Sequence, residues 1–498
     1  MFRIANPICC GLVLLLLSAG ASAQQDASSV TKEDLYQMLL KQQKLIENQQ
    51  ATIDSQGKAL AALSTKMDQM AQAQPQTAGA APAPPDKELQ TLNERMAALE
   101  KQEQTRTGMP ADVLTAGDFP GSIQLPGTNM AAKVGGNVRI AVVNNFDPIG
   151  LGDQFIAATI PVPGAESSNP EELFDGVNIS AKRSLVNLDM RMDSSVGRFR
   201  AFVEGDFVSD VDDSNAFRLR HAYGQYKRFL LGQTWSTFMD LDAEPEELDF
   251  EGLNSQIFRR HPILRWTRGL GDKRRFSIAV EDPTPEIENG TGKSDVPDLV
   301  STINFRRDSG HVQLGGVVRN IKGEQTGGPE GEVTRTETSF GWGLNFSGSH
   351  EFQKQKKDKV MWQVNFGEGI GAYINDLQTL GELDAVFSPD GNLEALPAFG
   401  AYVALQHYWH RQLLAAIGAK GLLRDLRSTF VYGYTGVDNF DFQSDDAYSE
   451  TQRASINLIW SPIAPIDIGV EYMWGQRRNK DGKSGTANQL QFVATFNF

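Results

Sequence analysis

The 498-residue chain contains only two cysteines, Cys9 and Cys10. Both fall in the leading segment MFRIANPICCGLVLLLLSAGASA. That segment carries one positive charge, Arg3, then a short apolar run from Gly11 to Leu17, then the small residues Ala21-Ser22-Ala23. This is the pattern of a secretory signal peptide covering residues 1–23. The apolar run is too short for a spanning helix, which needs roughly 20 residues, so a membrane anchor is disfavoured. The cysteines precede the run, which disfavours a lipoprotein signal. The mature chain is therefore expected to hold no cysteine, and a secreted chain of this size without disulfides relies on a large core or a closed sheet.

Positive charge is also scarce. The formal charge is −15, and loss of Arg3 with the signal makes it −16, so no nucleic-acid partner is expected. No stretch beyond the signal is apolar for long enough to span a membrane as a helix, so any crossing must use strands. The chain lacks a Ser-centred nucleophile elbow and a P-loop. Its six histidines form no ligand set, whether in QHYWH or at His261. Asp210, Asp212 and Asp213 lack the glycine and distal glutamate of an EF-hand loop and read as a solvated turn. No enzyme activity, no cofactor and no metal are expected.

What the chain does have comes in two periods. Steps of four and three run from Leu35 to Met70. Leu39, Ile46, Ile53, Leu60 and Met67 fall at a positions, and Leu35, Gln42, Gln49, Gln56, Leu63 and Met70 at d. A seam this strict argues for a coiled coil over residues 24–72 rather than a lone amphipathic helix, whose stripe would be wider. The three glutamine layers weaken the seam but fix its register. AQAQPQTAGAAPAPPD marks an Ala/Pro-rich linker, residues 73–86. A short second seam at Leu89, Leu92, Met96 and Leu99 gives residues 87–107.

From residue 119 to 498 the period is 2. Phe340, Trp342, Leu344 and Phe346 alternate with Gly341, Gly343, Asn345 and Ser347, and Phe199, Ala201 and Val203 alternate with Arg198, Arg200 and Glu204. Sixteen such strands are expected, the thirteenth at 412–425. The links after even-numbered strands are mostly short. Those after odd-numbered strands are mostly long, at 146–177, 236–262, 283–297, 321–336, 369–395 and 426–450. An even strand count with two unlike rims points to an all-β fold, a 16-stranded antiparallel up-and-down transmembrane barrel. A soluble propeller or sandwich would need a polar outer face, and there is no propeller repeat.

FRLRHAYGQY from Phe217, LLGQTWSTFMD from Leu230, the hairpin INLIWSPIAPIDIGVEYMWGQR from Ile456 and the terminal Phe498 resemble Gram-negative trimeric porins. Together with the N-terminal coiled coil and FPGSIQLPGTNMAAKVGGNVRI, the chain resembles the DcaP-like outer-membrane porins. That resemblance implies a homotrimer in the outer membrane with the coiled coil in the periplasm. It also implies passive diffusion of small anionic solutes, dicarboxylates among them. It makes Phe492, Phe496 and Phe498 a C-terminal signal for the outer-membrane insertion machinery. Outer-membrane lipid and lipopolysaccharide are expected partners through the acidic loops.

By alternation Arg183, Arg191, Arg198, Arg200, Arg218, Arg220 and Arg265 point away from the apolar face. On neighbouring strands about 4.8 Å apart they would line one wall and attract carboxylates. The alternative is that they pair with Asp189, Glu204 and Asp206 and stiffen the wall. His221 falls on the outward parity. In trimeric porins the loop after the fifth strand narrows the pore. Carried over, Asp242, Glu244, Glu246, Glu247 and Asp249 would be its acidic residues, set opposite the arginines. The competing function is a periplasmic or cell-wall tether or adhesin that uses the barrel only as an anchor.

Overall fold

The computed structural model describes residues 115–498, apart from 166–172, 209–215, 328–331, 353–357 and 410–424. The signal peptide, both coiled-coil segments and the linker lie outside the described residues.

The sheet is a closed antiparallel barrel of sixteen strands. The first eight are β1 Met130–Ile149, β2 in two pieces Phe174–Ser180 and Leu185–Ser194, β3 Gly197–Asp206, β4 Arg218–Tyr226, β5 Phe229–Trp235, β6 Arg260–Gly269, β7 Arg274–Glu281 and β8 Asp298–Arg307. The others are β9 Gly310–Gly327, β10 Glu332–Glu351, β11 Lys359–Glu368, β12 Pro397–Tyr408, β13 Leu426–Val437, β14 Tyr448–Ile463, β15 Ile466–Asn479 and β16 Ser484–Asn497. Each strand pairs with the next, and β16 returns to β1 with Phe492 opposite Val142 and Phe496 opposite Val138. Beyond the end of β16, the Phe498 amide donates to the Gly136 carbonyl and its carbonyl accepts from the Gly136 amide, at 3.0 and 3.2 Å. Gly136 sits at φ +149°, where a Cβ would lie 2.1 Å from the Leu185 carbonyl oxygen, so only glycine lets β1 pass β2 there.

Closure leaves no unpaired edge for hydrocarbon to meet. Burial is inverted relative to a soluble protein. Leu490, Phe492, Phe496 and Phe498 are 38–51% exposed on the outside, while Gln489 and Gln491, on either side of Leu490, are at most 1% exposed on the inside. Among the described residues no helix is long and apolar enough to cross a membrane.

Three expectations need correction. The expected thirteenth strand, 412–425, lies outside the described residues but for Asp425, and the strand that pairs with β12 is Leu426–Val437. LLAAIGAKGLL is apolar without alternating, whereas Phe430 and Tyr432 outward against Thr429 and Val431 inward form a true period of 2. The expected loop at 321–336 is mostly strand, because β9 and β10 continue past the barrel body as one long hairpin. His221 does not face outward. A bulge in β4 sets Leu219 opposite Gly205 and His221 opposite Glu204, so Arg220 is an extra residue and the parity flips. His221 lies inside, its Nδ1 3.0 Å from Thr234 Oγ1.

Several loops from the long-loop rim fold into the barrel. Ile156 from the loop after β1, Phe238 and Ile257 from the loop after β5, and Ile370, Tyr373 and Leu377 from the loop after β11 share one apolar core inside the lumen. The last of these loops carries a short helix, α1 Asn375–Leu380. Phe258 donates its amide to the Tyr373 carbonyl at 2.9 Å, and Asn375 donates its amide to the Gln256 carbonyl at 3.1 Å, so two loops narrow the lumen as one body.

Candidate permeation pathway

The loop after β5, residues 236–259, is fixed first at its start. Glu281 at the end of β7 accepts from Ser236 Oγ at 2.6 Å and from the Thr237 amide at 2.7 Å, and it faces His261 Nε2 at 2.8 Å. The loop then crosses to the far wall. Asp240 accepts from Ser347 Oγ of β10 at 2.6 Å, and Tyr402 of β12 donates to the Ala243 carbonyl at 3.0 Å. Glu246 accepts from Arg427 Nε of β13 at 2.6 Å and from Gln406 of β12 at 2.7 Å. Glu247 lies 3.3 Å and Asp249 3.1 Å from Arg453 Nη2 of β14. Glu471 of β15 accepts the Leu248 and Asp249 amides at 2.6 and 2.7 Å.

The expected acidic residues therefore do not form one face. Glu246, Glu247 and Asp249 are neutralised by Arg427 and Arg453 on their own side of the lumen. Asp242 goes the other way, 2.5 Å from Arg306 and 4.0 Å from Arg275. Burial, and the neighbouring Glu247, push the Glu244 carboxyl up to about 7, so near neutral pH it holds its proton for much of the time.

The expected arginines are largely paired. Arg191 and Arg200 share Asp189, at 2.7 and 2.9 Å. Arg218 and Arg220 share Asp206, at 2.8 and 2.9 Å, and Arg220 also reaches Glu204 at 3.5 Å. Arg198 bonds Asp118 and Asp193, both exposed. Arg183 meets Asp153 at 3.4 Å. Arg183 and Arg220 both stack on Phe250 from the crossing loop, 4.6 and 4.7 Å from its centroid, which docks the loop tip against this wall. Each such contact contributes about 0.5–2 kcal/mol depending on desolvation.

Two cavities remain beside the loop, with Trp235 lining both. The outer one, about 270 Å³, is bounded by Arg218, Arg260, Phe250, Glu251, Phe258 and α1. The inner one, about 440 Å³, opens toward the short-turn rim and is bounded by Lys227, Arg228, Arg265, Arg275 and Arg306, with Asp240 and Asp242. Arg260 lies over the Trp235 ring at 4.6 Å, and its Nη1 is buried without a hydrogen-bond partner among the described residues. Of the arginines expected from the sequence, Arg218 and Arg265 line these spaces. Arg260, Arg275 and Arg306 were missed, although Arg275 and Arg306 sit on the inward parity of β7 and β8. Asp240, Asp242 and His311 gather within 4.8 Å, but His311 already bonds Asp240, and Arg306 occupies Asp242.

The sequence model of the DcaP outer membrane protein family matches residues 125–498. The chain belongs to that family. It is an outer-membrane channel protein of the porin class. Among solved structures, the outer membrane channel DcaP of Acinetobacter baumannii matches at TM-score 0.61 and 23% identity, over 74% of this chain and 98% of that one. The trimer form of OmpT from Vibrio cholerae matches at 0.45 and 11% identity, over 74% of this chain and 99% of that one. An anion-selective porin from Comamonas acidovorans matches at 0.45 and 10% identity, over 74% of this chain and all of that one. Both are too distant to bear on function. No curated protein matches the chain. This DcaP-family barrel thus shares its fold with that channel.

Proposed function

We propose that the channel passes small anions, carboxylates and dicarboxylates foremost, along the wall formed by β4 to β8. One observation carries this reading: the open space beside the crossing loop is bordered by more cations than anions. The inner cavity holds Lys227, Arg228, Arg265, Arg275 and Arg306 against Asp240 and Asp242, while Glu246, Glu247 and Asp249 of the loop are turned away and paired. A water-filled passage with such a bias raises the local concentration of anions and repels cations. Arginine adds a planar fork that a carboxylate can use with two hydrogen bonds. Arg183, Arg191, Arg198, Arg200 and Arg220 hold the wall rigid in this reading, and Arg218 and Arg265 take part in selection.

The reading extends to the rest of the chain. The protein works as a homotrimer in the outer membrane, and residues 24–72 and 87–107 form a periplasmic coiled coil joined by the linker 73–86. Phe492, Phe496 and Phe498 present the insertion signal, and the acidic outer loops meet lipopolysaccharide. Liposome swelling tests the solute class. Succinate should enter several-fold faster than an uncharged solute of the same size, and putrescine slower. Equal rates for all three would remove the charge preference.

A further inference from the structure

Glu251 stands apart from the other carboxylates of the crossing loop. It lines the outer cavity, half-buried, in the same space as Arg218 and Arg260. Among the described residues no hydrogen bond or ion pair engages its carboxyl. Its main chain, by contrast, is fixed, because Asn375 Nδ2 of α1 donates to its carbonyl at 3.0 Å. The carboxyl thus shares the outer cavity with Arg218 and Arg260 and interacts with the second of these. Arg218 is already shared with Asp206, and Arg260 has an unsatisfied Nη1.

We propose that the Glu251 carboxyl competes with an incoming anion for Arg260, so that its ionisation sets how strongly the channel prefers anions. Ionised, it places a negative charge where a solute carboxylate would sit. Neutral, it leaves Arg260 to the solute. The charged groups around it come from every packed element: Asp249 on the loop, Arg183 between the two pieces of β2, Arg260 on β6, Arg453 on β14 and Asp376 on α1, with Arg218 on β4 lining the same cavity. Burial first, then Asp249, raises the carboxyl above its usual range, against the lowering pull of Arg183, Arg453 and Arg260. The sign follows. Glu251 is neutral at low pH and ionises as pH climbs past the ordinary carboxylate range, so anion preference falls as pH rises.

This inference rests on the anion-passage reading, and one set of bilayer measurements separates the two. Reversal potentials in a KCl gradient are taken at about pH 5 and about pH 9 for the full chain and for Glu251→Gln, conditions chosen to bracket a raised carboxyl. In the wild type the anion-to-cation permeability ratio should fall several-fold between the two, while Glu251→Gln should fall clearly less, the remaining fall coming from Glu244. A variant that follows the wild type at both pH values overturns the role of Glu251 and leaves an anion-selective passage standing. A wild type that prefers cations even at the lower pH overturns the passage reading itself.

Discussion

Replacing Arg453 by methionine should release the crossing loop from the far wall. The guanidinium is 1% exposed, and it holds Glu247 at 3.3 Å, Asp249 at 3.1 Å and the Phe155 carbonyl at 3.2 Å. Methionine fills much of the volume but leaves two buried carboxylates facing Glu471 without their paired cation, Arg139 alone remaining nearby. Breaking one side of a buried pair costs about 3–5 kcal/mol, far more than a surface bridge, because a charge is left desolvated and alone. At about 1.4 kcal/mol per factor of ten, the docked loop loses at least two orders of magnitude in population against undocked forms. The barrel wall, closed by its own hydrogen bonds, should survive. Arg453→Met is therefore expected to insert normally but to show higher and noisier single-channel conductance, and faster protease cleavage within residues 236–259. Quiet, wild-type conductance would mean that the shared apolar core of the loops, rather than this charge cluster, holds the constriction.

The second large effect concerns selectivity. Changing Arg260, Arg265 and Arg275 together to glutamine removes three positive charges from the two cavities while leaving the paired arginines of β2 and β3 in place. In a wet lumen one charge at about 4 Å contributes about 1 kcal/mol, so three should lower the anion-to-cation ratio by about tenfold or more. Arg198→Gln is the contrast. That residue is exposed and bonded to two exposed carboxylates, and its loss should change the ratio little. If Arg198→Gln shifts selectivity as much as the triple variant, the passage runs along a different wall.

These expectations show what the sequence exposes and what it hides. The barrel was legible because strand alternation with aromatics outward is a local pattern, repeated at Phe340–Phe346 and again at the chain's end. The thirteenth strand was misplaced because an apolar run without alternation outweighed the correct segment beginning at Leu426. His221 was misassigned because a single bulge reverses parity, and nothing in FRLRHAYGQY marks which residue is extra. The site was harder still. Alternation identified inward arginines, but it could not say that Asp189 and Asp206 neutralise most of those on β2 to β4. Nor could it say that Arg275 and Arg306 face open space. Glu246, Glu247 and Asp249 were assigned to the right loop, yet their partners Arg427 and Arg453 lie about 200 residues away in sequence, a contact only the folded loop creates. Glu251 differs from its neighbours by where the loop turns, not by residue type.

The central claim is that the passage beside Trp235 favours anions. Its most direct test is the zero-current potential of the wild-type channel in a planar bilayer with a tenfold KCl gradient near neutral pH. Chloride-dominated permeation, with the dilute side driven negative, is the expected result. A potential of the opposite sign, with potassium carrying the current, would contradict it.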